Sequence, residues 1–375
     1  MASGAGGPAG GDRVSTTAIA DRIRAARGAG TPVRIRGAGT WLDAGRPVDA
    51  RETLSVADDR GIVEYVPGDL TLTARAGTTL ADLERATREH GQWLPLAPWG
   101  SAASTLGATI STATAGPYAA AFGLPRDAVL GIEFVTGAGD VVRAGGRVVK
   151  NVAGFDLTRL LIGSWGTLGV ITEATVRLRS RPQVSRTIAI GIPDDSPAAL
   201  DVLGATVRKL PFAPFVCELL NPAMANALGL GGRTTLLVEL GGNSTAVAAQ
   251  LDAFRPLGAA TDAPEDIMEQ LRAADAGMAT WRVSSRPSRF AQSWTVAGRT
   301  PGALLHGNMA RGVVRVAAPS FDAIPSVSRV RVVVERLPAA AWAAHPAHGD
   351  PLAASVRGKF DPDGILNPGI LGEVA

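Results

Sequence analysis

The apolar positions of this chain alternate between two periods. From Thr16 to Arg27 (TTAIADRIRAAR) they recur at helical spacing, and Gly28 follows as a helix stop. Val33 to Arg36 alternates as a short strand. Ile62 to Val66 and Leu70 to Ala76 do the same, with Pro67-Gly-Asp69 as the turn between them. Thr79 to His90 returns to the helical period. Thr78 or Thr79 caps it, and Leu80, Leu83 and Ala86 form its apolar stripe. The segment from Gly91 to Pro125 then carries no charge at all. It is no membrane span, because Pro95, Pro98, Gly100, Gly107 and Gly116 interrupt it and eight hydroxyl side chains stud it. Small and hydroxylated residues at this density suit a backbone lying closely on a large, partly apolar, partly polyanionic ligand. A tightly packed Gly/Ala core is the plainer alternative. Within the segment, Thr105 to Thr114 is expected to start a short helix whose N-terminal amides face a ligand.

Strands follow at Val129 to Thr136 and Val141 to Arg143, and a tight turn at Gly145-Gly146 leads into Val148 to Lys150. Leu157 to Ile162 reads as a short helix, Gly163-Ser-Trp-Gly166 as its break, and Val170 to Leu178 as a strand. From Gln183 the texture changes. Strands are expected at Thr187 to Ile192, Pro214 to Leu220 and Thr234 to Leu240, with Val283 and Val313 to Ala317 completing a sheet. Helices are expected at Pro197 to Leu210, Thr245 to Phe254 and Glu265 to Ala274. A strand at Val330 to Val334, a Pro/Ala-rich connection and the compact KFDPDGILNPG close the chain. The pattern is α+β, with a tail over 1–15, a first domain over 16–182, an inserted α+β cap over 183–325 and a returning segment over 326–375.

Composition narrows the function. The 375 residues carry a net charge of +3, with basic residues dispersed, which argues against nucleic acid. The N-terminal MASGAGGPAGGDR has neither a basic nor an apolar region of a leader, so a cytoplasmic chain with at most peripheral membrane association is expected. The single cysteine, Cys217, lies in the apolar run PFVCELL and reads as a buried filler. One cysteine holds no iron–sulfur cluster, so electron transfer beyond an organic cofactor needs another chain or a diffusible acceptor.

Candidate chemistry is concentrated in the glycines. Gly37, Ala38, Gly39 and Thr40 follow the first strand in a tight turn. The G-x-G-x-x-G dinucleotide pattern is broken, because its third position is Leu42. Such a turn still presents successive N–H groups as an anion nest, with Arg36 beside it; a plain strand–turn–strand is the alternative. The four histidines are His90, His306, His345 and His348. Pro346 keeps His345 and His348 from forming a helical ligand pair, so no metal site is expected. Arg282, Arg286 and Arg289 of WRVSSRPSR bind a carboxylate or form a solvated strand face, and the solvated face is the simpler reading.

With these pieces in order the chain resembles the FAD-binding flavoproteins of the vanillyl-alcohol oxidase/PCMH type. Three blocks carry the resemblance. They are Pro32 to Thr40 (PVRIRGAGT); Thr105 to Gly116 together with Lys150-Asn-Val-Ala-Gly-Phe-Asp156 and Gly163 to Thr172; and the terminal Phe360 to Gly369 (FDPDGILNPG). The branch that looks most similar is the smaller flavin subunit of bacterial glycolate oxidase. Larger relatives usually read T-I-G-G-x-x-A-x-N-A-x-G in the second block, where this chain has Ala108 for the second glycine and Ala113 for the asparagine.

The resemblance implies a PCMH-type FAD-binding domain of two α/β subdomains, with the cap inserted before the return segment. It implies FAD held at the pyrophosphate by Arg36, Gly37, Ala38, Gly39 and Thr40, and approached by Thr105, Gly107 and Ala108. Ser101, Ser111 and Gly116 would lie along the flavin, Gly169, Val170 and Ile171 at the adenosine end, and Asn367 near the isoalloxazine. Family members attach flavin covalently through a His at the first turn or a Cys in the second block. This chain has neither there, so dissociable FAD is expected. The implied function is oxidation of glycolate or a related 2-hydroxy acid, alongside a larger homologous flavin subunit and an iron–sulfur subunit. Catalytic residues are unassigned, with Arg286 and His306 as candidates. Two alternatives stay open: a self-sufficient FAD-dependent alcohol or hydroxy-acid dehydrogenase, and a catalytically silent flavin-binding scaffold.

Overall fold

A computed structural model describes residues 15–146, 155–322, 324–325, 330–345 and 350–372. All of the expected tail except Ser15, the Val148 to Lys150 strand, most of the Lys150 to Asp156 motif and His348 lie outside the described residues.

The first helix spans Thr16–Gly28, capped by the Ser15 hydroxyl, and buries Ile19, Ala20, Ile23 and Ala26 on one side. It packs on a parallel pair, Val33–Arg36 with Glu52–Ser55. Beside this unit lies a five-stranded antiparallel sheet in the order Ile62–Val66, Thr71–Arg75, Val170–Arg177, Val129–Val135, Val141–Gly145. The helix Leu80–Arg88, capped by Thr79, and the helix Leu106–Thr112, capped by Thr105, join the core of that sheet through Leu80, Leu83, Leu106 and Ile110.

The second domain is an eight-stranded antiparallel sheet. Its order is Ala260–Asp262, Val184–Gly191, Thr235–Gly242, Val216–Leu220, Leu304–Asn308, Val313–Ala318, Ala279–Ser284, Arg331–Arg336. Alternation sorts its side chains. Cys217, Leu219, Leu236, Val238, Trp281, Val283, Val314 and Val316 point to one side, into a core shared with the helices Pro197–Arg208, Ser244–Phe254 and Phe290–Ala297. Cys217 is buried there as expected, and burial pushes its thiol up to about 12. The opposite side carries Glu218, Glu239, Arg282, His306, Asn308 and Arg315, and it meets the first domain.

Four elements differ from expectation. Sequence reading assigns no element to the Leu304–Asn308 strand or to the Phe290–Ala297 helix, which buries Phe290, Ala291, Trp294 and Ala297. The Arg331–Arg336 strand, assigned from sequence to the return segment, is the edge of the second sheet, pairing with Ala279–Ser284. The chain therefore crosses back only after it. The Pro/Ala-rich connection contains the helix Pro351–Phe360, with Pro351 in its first turn and Asp350 as its cap.

The return is fixed by main-chain bonds. Val33 N–H donates to Ile365 O (2.8 Å) and Asn367 N–H to Val33 O (3.0 Å), so the last residues extend the parallel pair. The seam between domains closes through Gly45 N–H to Glu335 O (2.8 Å), Asp43 with Arg336 (2.6 Å) and Tyr118 Oη–H to Glu239 (2.8 Å). Among the described residues no helix is long and apolar enough to cross a membrane.

One buried acid sets a pH dependence. Asp59 lies beside Arg75 with one carboxylate oxygen unpaired. Burial raises its carboxyl from 3.8 to about 6, against the pull of Arg75 and with a further push from Glu133 and Glu173. The folded chain keeps a proton that the unfolded chain releases, so this stabilisation is present at low pH and lost as pH rises towards 6. Asp59→Asn removes that loss. Urea unfolding on either side of this window is expected to show a smaller fall in stability with rising pH for the variant than for the parent.

Candidate functional site

The turn after the first strand is the centre of the site. None of the main-chain N–H groups of residues 37–42 donates to another described group. Donors left unspent in the protein are available to an anion. Two glycines explain the close packing around them. A Cβ on Gly37 would stand 2.2 Å from the Thr105 hydroxyl, and Gly39 has φ +80°. Thr40 Oγ1 and Ser104 Oγ, 2.9 Å apart, tie the turn to the uncharged segment.

A cleft of about 100 Å³ runs along this turn. Of the residues expected at the site, Arg36, Gly37, Gly39, Thr40, Gly107, Ala108, Ser111, Gly169, Ile171 and Asn367 line it together. Arg34 and Arg36 are its charged lining residues, and no carboxylate accompanies them. Five expected residues stand elsewhere. Ala38 is exposed on the turn without lining the cleft. Ser101 is exposed, its hydroxyl accepting from Ala103 N–H (3.1 Å). Thr105 is a buried helix cap. Val170 is buried in the core of the first helix. Gly116 is a packing residue, since a Cβ there would come within 1.6 Å of Ala97 O.

The expected role of the Leu106–Thr112 helix N-terminus is corrected. Leu106 N–H donates to Thr78 O (2.8 Å), Gly107 N–H to Ala76 O (2.9 Å) and Ala108 N–H to Thr105 Oγ1 (3.4 Å). These amides are spent inside the protein. The short helix offers a surface, and the turn offers the donors.

Asn367 closes the cleft. Its Oδ1 accepts from Ile35 N–H (2.7 Å) and its Nδ2 donates to Trp165 O (2.7 Å). Trp165 has φ +55°, a rare conformation for a bulky residue, and also donates through its N–H to Ser111 O (2.8 Å). Its ring stacks on Trp41 at 6.1 Å. Trp41 and Trp165 line both the narrow cleft and a wider cavity of about 810 Å³ between the domains. Sequence reading missed both tryptophans as site residues, for the bend at Gly163 to Gly166 signals only a helix break.

The wider cavity also holds Trp99, Trp342, Arg46, Arg282, Arg331 and Glu335. Arg282 is thus no plain solvated residue: it pairs with Glu335 (2.5 Å). Behind the cavity wall, Arg315 is buried between Asp275 and Glu335 and packs on the rings of Trp41 and Trp99. Neither catalytic candidate lines either cavity. Arg286 is exposed at the start of a short 3₁₀ turn. His306 is buried behind Trp99, its Nδ1 at 3.0 Å from Glu218, which also accepts from Asn308 (3.0 Å). Among the described residues no group of three or more His, Cys, Asp or Glu is placed to hold a metal.

The model of the FAD binding domain family matches residues 14–145. That part of the chain is an FAD binding domain. The FAD binding domain thus includes the turn, the uncharged segment and the Leu106–Thr112 helix, while Trp165, Ile171 and Asn367 complete the cleft from outside the matched stretch. The glycolate oxidase subunit GlcE of Escherichia coli (strain K12) is 44% identical over 170 residues, 45% of this chain and 48% of that protein. The glycolate oxidase subunit GlcD of Bacillus subtilis (strain 168) is 38% identical over 158 residues, 42% of this chain and 34% of that protein. The matched stretches therefore span less than half the length of these relatives. The solved structure of an alkyldihydroxyacetonephosphate synthase superposes with a TM-score of 0.67, covering 93% of this chain and 74% of that chain at 17% identity, a likeness of fold. The mixed α and β, PCMH-type architecture expected from sequence is the one found.

Two substitutions test the geometry of the cleft and of the short helix beside it. Asn367→Ala strands Ile35 N–H and Trp165 O and is expected to lower stability by about 2–4 kcal/mol in denaturant unfolding. Ala113, where larger relatives carry asparagine, caps its helix at φ +50°. Ala113→Gly relieves that conformation and is expected to raise stability by about 1 kcal/mol.

Proposed function

We propose that the chain is the FAD-binding subunit of a glycolate oxidase-like complex, which oxidises glycolate or a related 2-hydroxy acid. The observation that carries this reading is the run of unspent main-chain donors at residues 37–42, in a cleft whose charged lining is two arginines and no acid. A polyanion such as the pyrophosphate of FAD suits that lining. The turn and Arg36 would hold the pyrophosphate, with Gly107, Ala108 and Ser111 against the cofactor and Gly169 and Ile171 at its far end. Bound FAD supplies a hydride acceptor. The chain's own residues would do the rest: Trp41 and Trp165 wall the reaction from water, and the cations of the wider cavity orient a carboxylate.

Binding is proposed to be noncovalent, because neither the first turn nor the Thr105 to Gly116 block contains a His or Cys. Electrons are proposed to leave through an iron–sulfur subunit, with a larger homologous flavin subunit in the same complex. The lone, buried Cys217 supports a separate carrier. Glu335 at the wider cavity already pairs with Arg282 and Arg315, and among the described residues His345 is the other acid–base side chain that lines it.

An absorption spectrum of the purified chain, before and after acid precipitation, tests the cofactor. Flavin bands released into the supernatant are expected. Anaerobic addition of glycolate then locates the chemistry. Bleaching would make the isolated chain the dehydrogenase. Flavin that stays oxidised until partner chains are added would assign turnover to the complex. Colourless protein that takes up no FAD would overturn the proposal.

A further inference from the structure

A third cavity, of about 340 Å³, lies at the seam between the domains and shares no lining residue with the cofactor cleft. Leu80, Trp93, Leu94 and Leu96 make its walls apolar. Its charged members are Glu84, Arg181 and Arg272. Glu84 is neutralised by Arg181, which also stacks over Trp93 at 5.8 Å, and by Arg88 at 3.1 Å. Arg272 has no carboxylate partner among the described residues. Its Nε donates to Pro98 O (2.8 Å), while its Nη2 is buried with nothing to bond. The Tyr118 hydroxyl lines the same space, but its proton is given to Glu239 (2.8 Å), so it offers only a lone pair. Arg272 lines the cavity without a carboxylate beside it, so an arriving anion would meet an uncompensated guanidinium.

We propose that this cavity binds an organic carboxylate with an apolar body, the carboxylate on Arg272 and the body against Trp93, Leu94 and Leu96. The site is separate from the cofactor cleft and does not rest on the function proposed above. It also spans the seam. Arg272 comes from the cap helix Ile267–Ala273, bonds Pro98 of the first domain through its side chain, and accepts from Gly100 N–H (2.7 Å) through its main chain. A ligand here would brace the cap against the uncharged segment, making the site one of regulation.

Calorimetric titration of the full chain with benzoate, with FAD added and without it, tests the site. Benzoate is expected to bind, and the neutral benzyl alcohol to bind far more weakly. Arg272→Gln keeps a donor for Pro98 O but removes the charge, and is expected to weaken benzoate roughly ten- to hundredfold. Ala81→Trp fills the cavity from an exposed helix position, leaves Arg272 untouched and is expected to abolish binding. Arg331→Gln removes one of the cations proposed to orient substrate in the wider cavity, and the Arg272-dependent affinity for benzoate is expected to persist in that variant. Absence of benzoate binding to the parent chain would overturn the proposal. So would equal binding of benzyl alcohol, undiminished binding by Ala81→Trp, or loss through Arg331→Gln in place of Arg272→Gln.

Discussion

Two hydrogen bonds from one amide side chain hold the cofactor cleft together. Asn367 reaches Ile35, the residue 332 positions earlier, and Trp165, 202 positions earlier. The first bond fixes the strand that ends in the Gly37 to Thr40 turn. The second holds the carbonyl of a tryptophan whose backbone lies in the left-handed region. Asparagine also tolerates its own φ of +43° better than most residues. The end of the chain is thereby made a wall of a site built from its beginning, and the donors of residues 37–42 stay free because the strand beneath them is bonded elsewhere.

The second domain shows how one sheet serves two environments. Its helix-covered side is a conventional apolar core. Its other side carries ionisable groups that would be costly to bury alone, and each is matched. Arg315 lies between Asp275 and Glu335, Glu218 between His306 and Asn308, and Glu239 beneath Tyr118 and Ser185. Burial raises the carboxyl of Glu239, and its two hydroxyl donors oppose that rise. This polar face orients the cap on the first domain, and the aromatic residues Trp41 and Trp99 form the junction on which Arg315 rests.

The same matching explains why His306 made a poor guide to chemistry. A histidine beside a glutamate is a common catalytic pairing, yet here both are enclosed in the sheet's polar side, behind Trp99 and away from both cavities. Arg282 moved in the other direction. Its strand alternation made it look solvated, but the neighbouring Arg331–Arg336 strand brings Glu335 against it and turns both towards the wider cavity. Strand order, which no single strand encodes, decided each case.

Local signals determined much of this protein on their own. The helix cap at Thr79, the short helix that begins beside Thr105, the strand at Val33–Arg36 and the glycine turn after it follow from near-neighbour chemistry and stand where the pattern put them. So do the lack of charge from Gly91 to Pro125 and the motif blocks that mark an FAD binding domain. Tertiary structure decided which of those groups are spent. The amides of the Leu106–Thr112 helix are consumed by Ala76 and Thr78, while those of the turn are left over. Asn367 became a clamp, Gly116 a contact between two backbones, and Trp165 a strained wall. These outcomes depend on partners tens to hundreds of residues away, and a hydrogen bond is satisfied by whichever group the fold brings within reach.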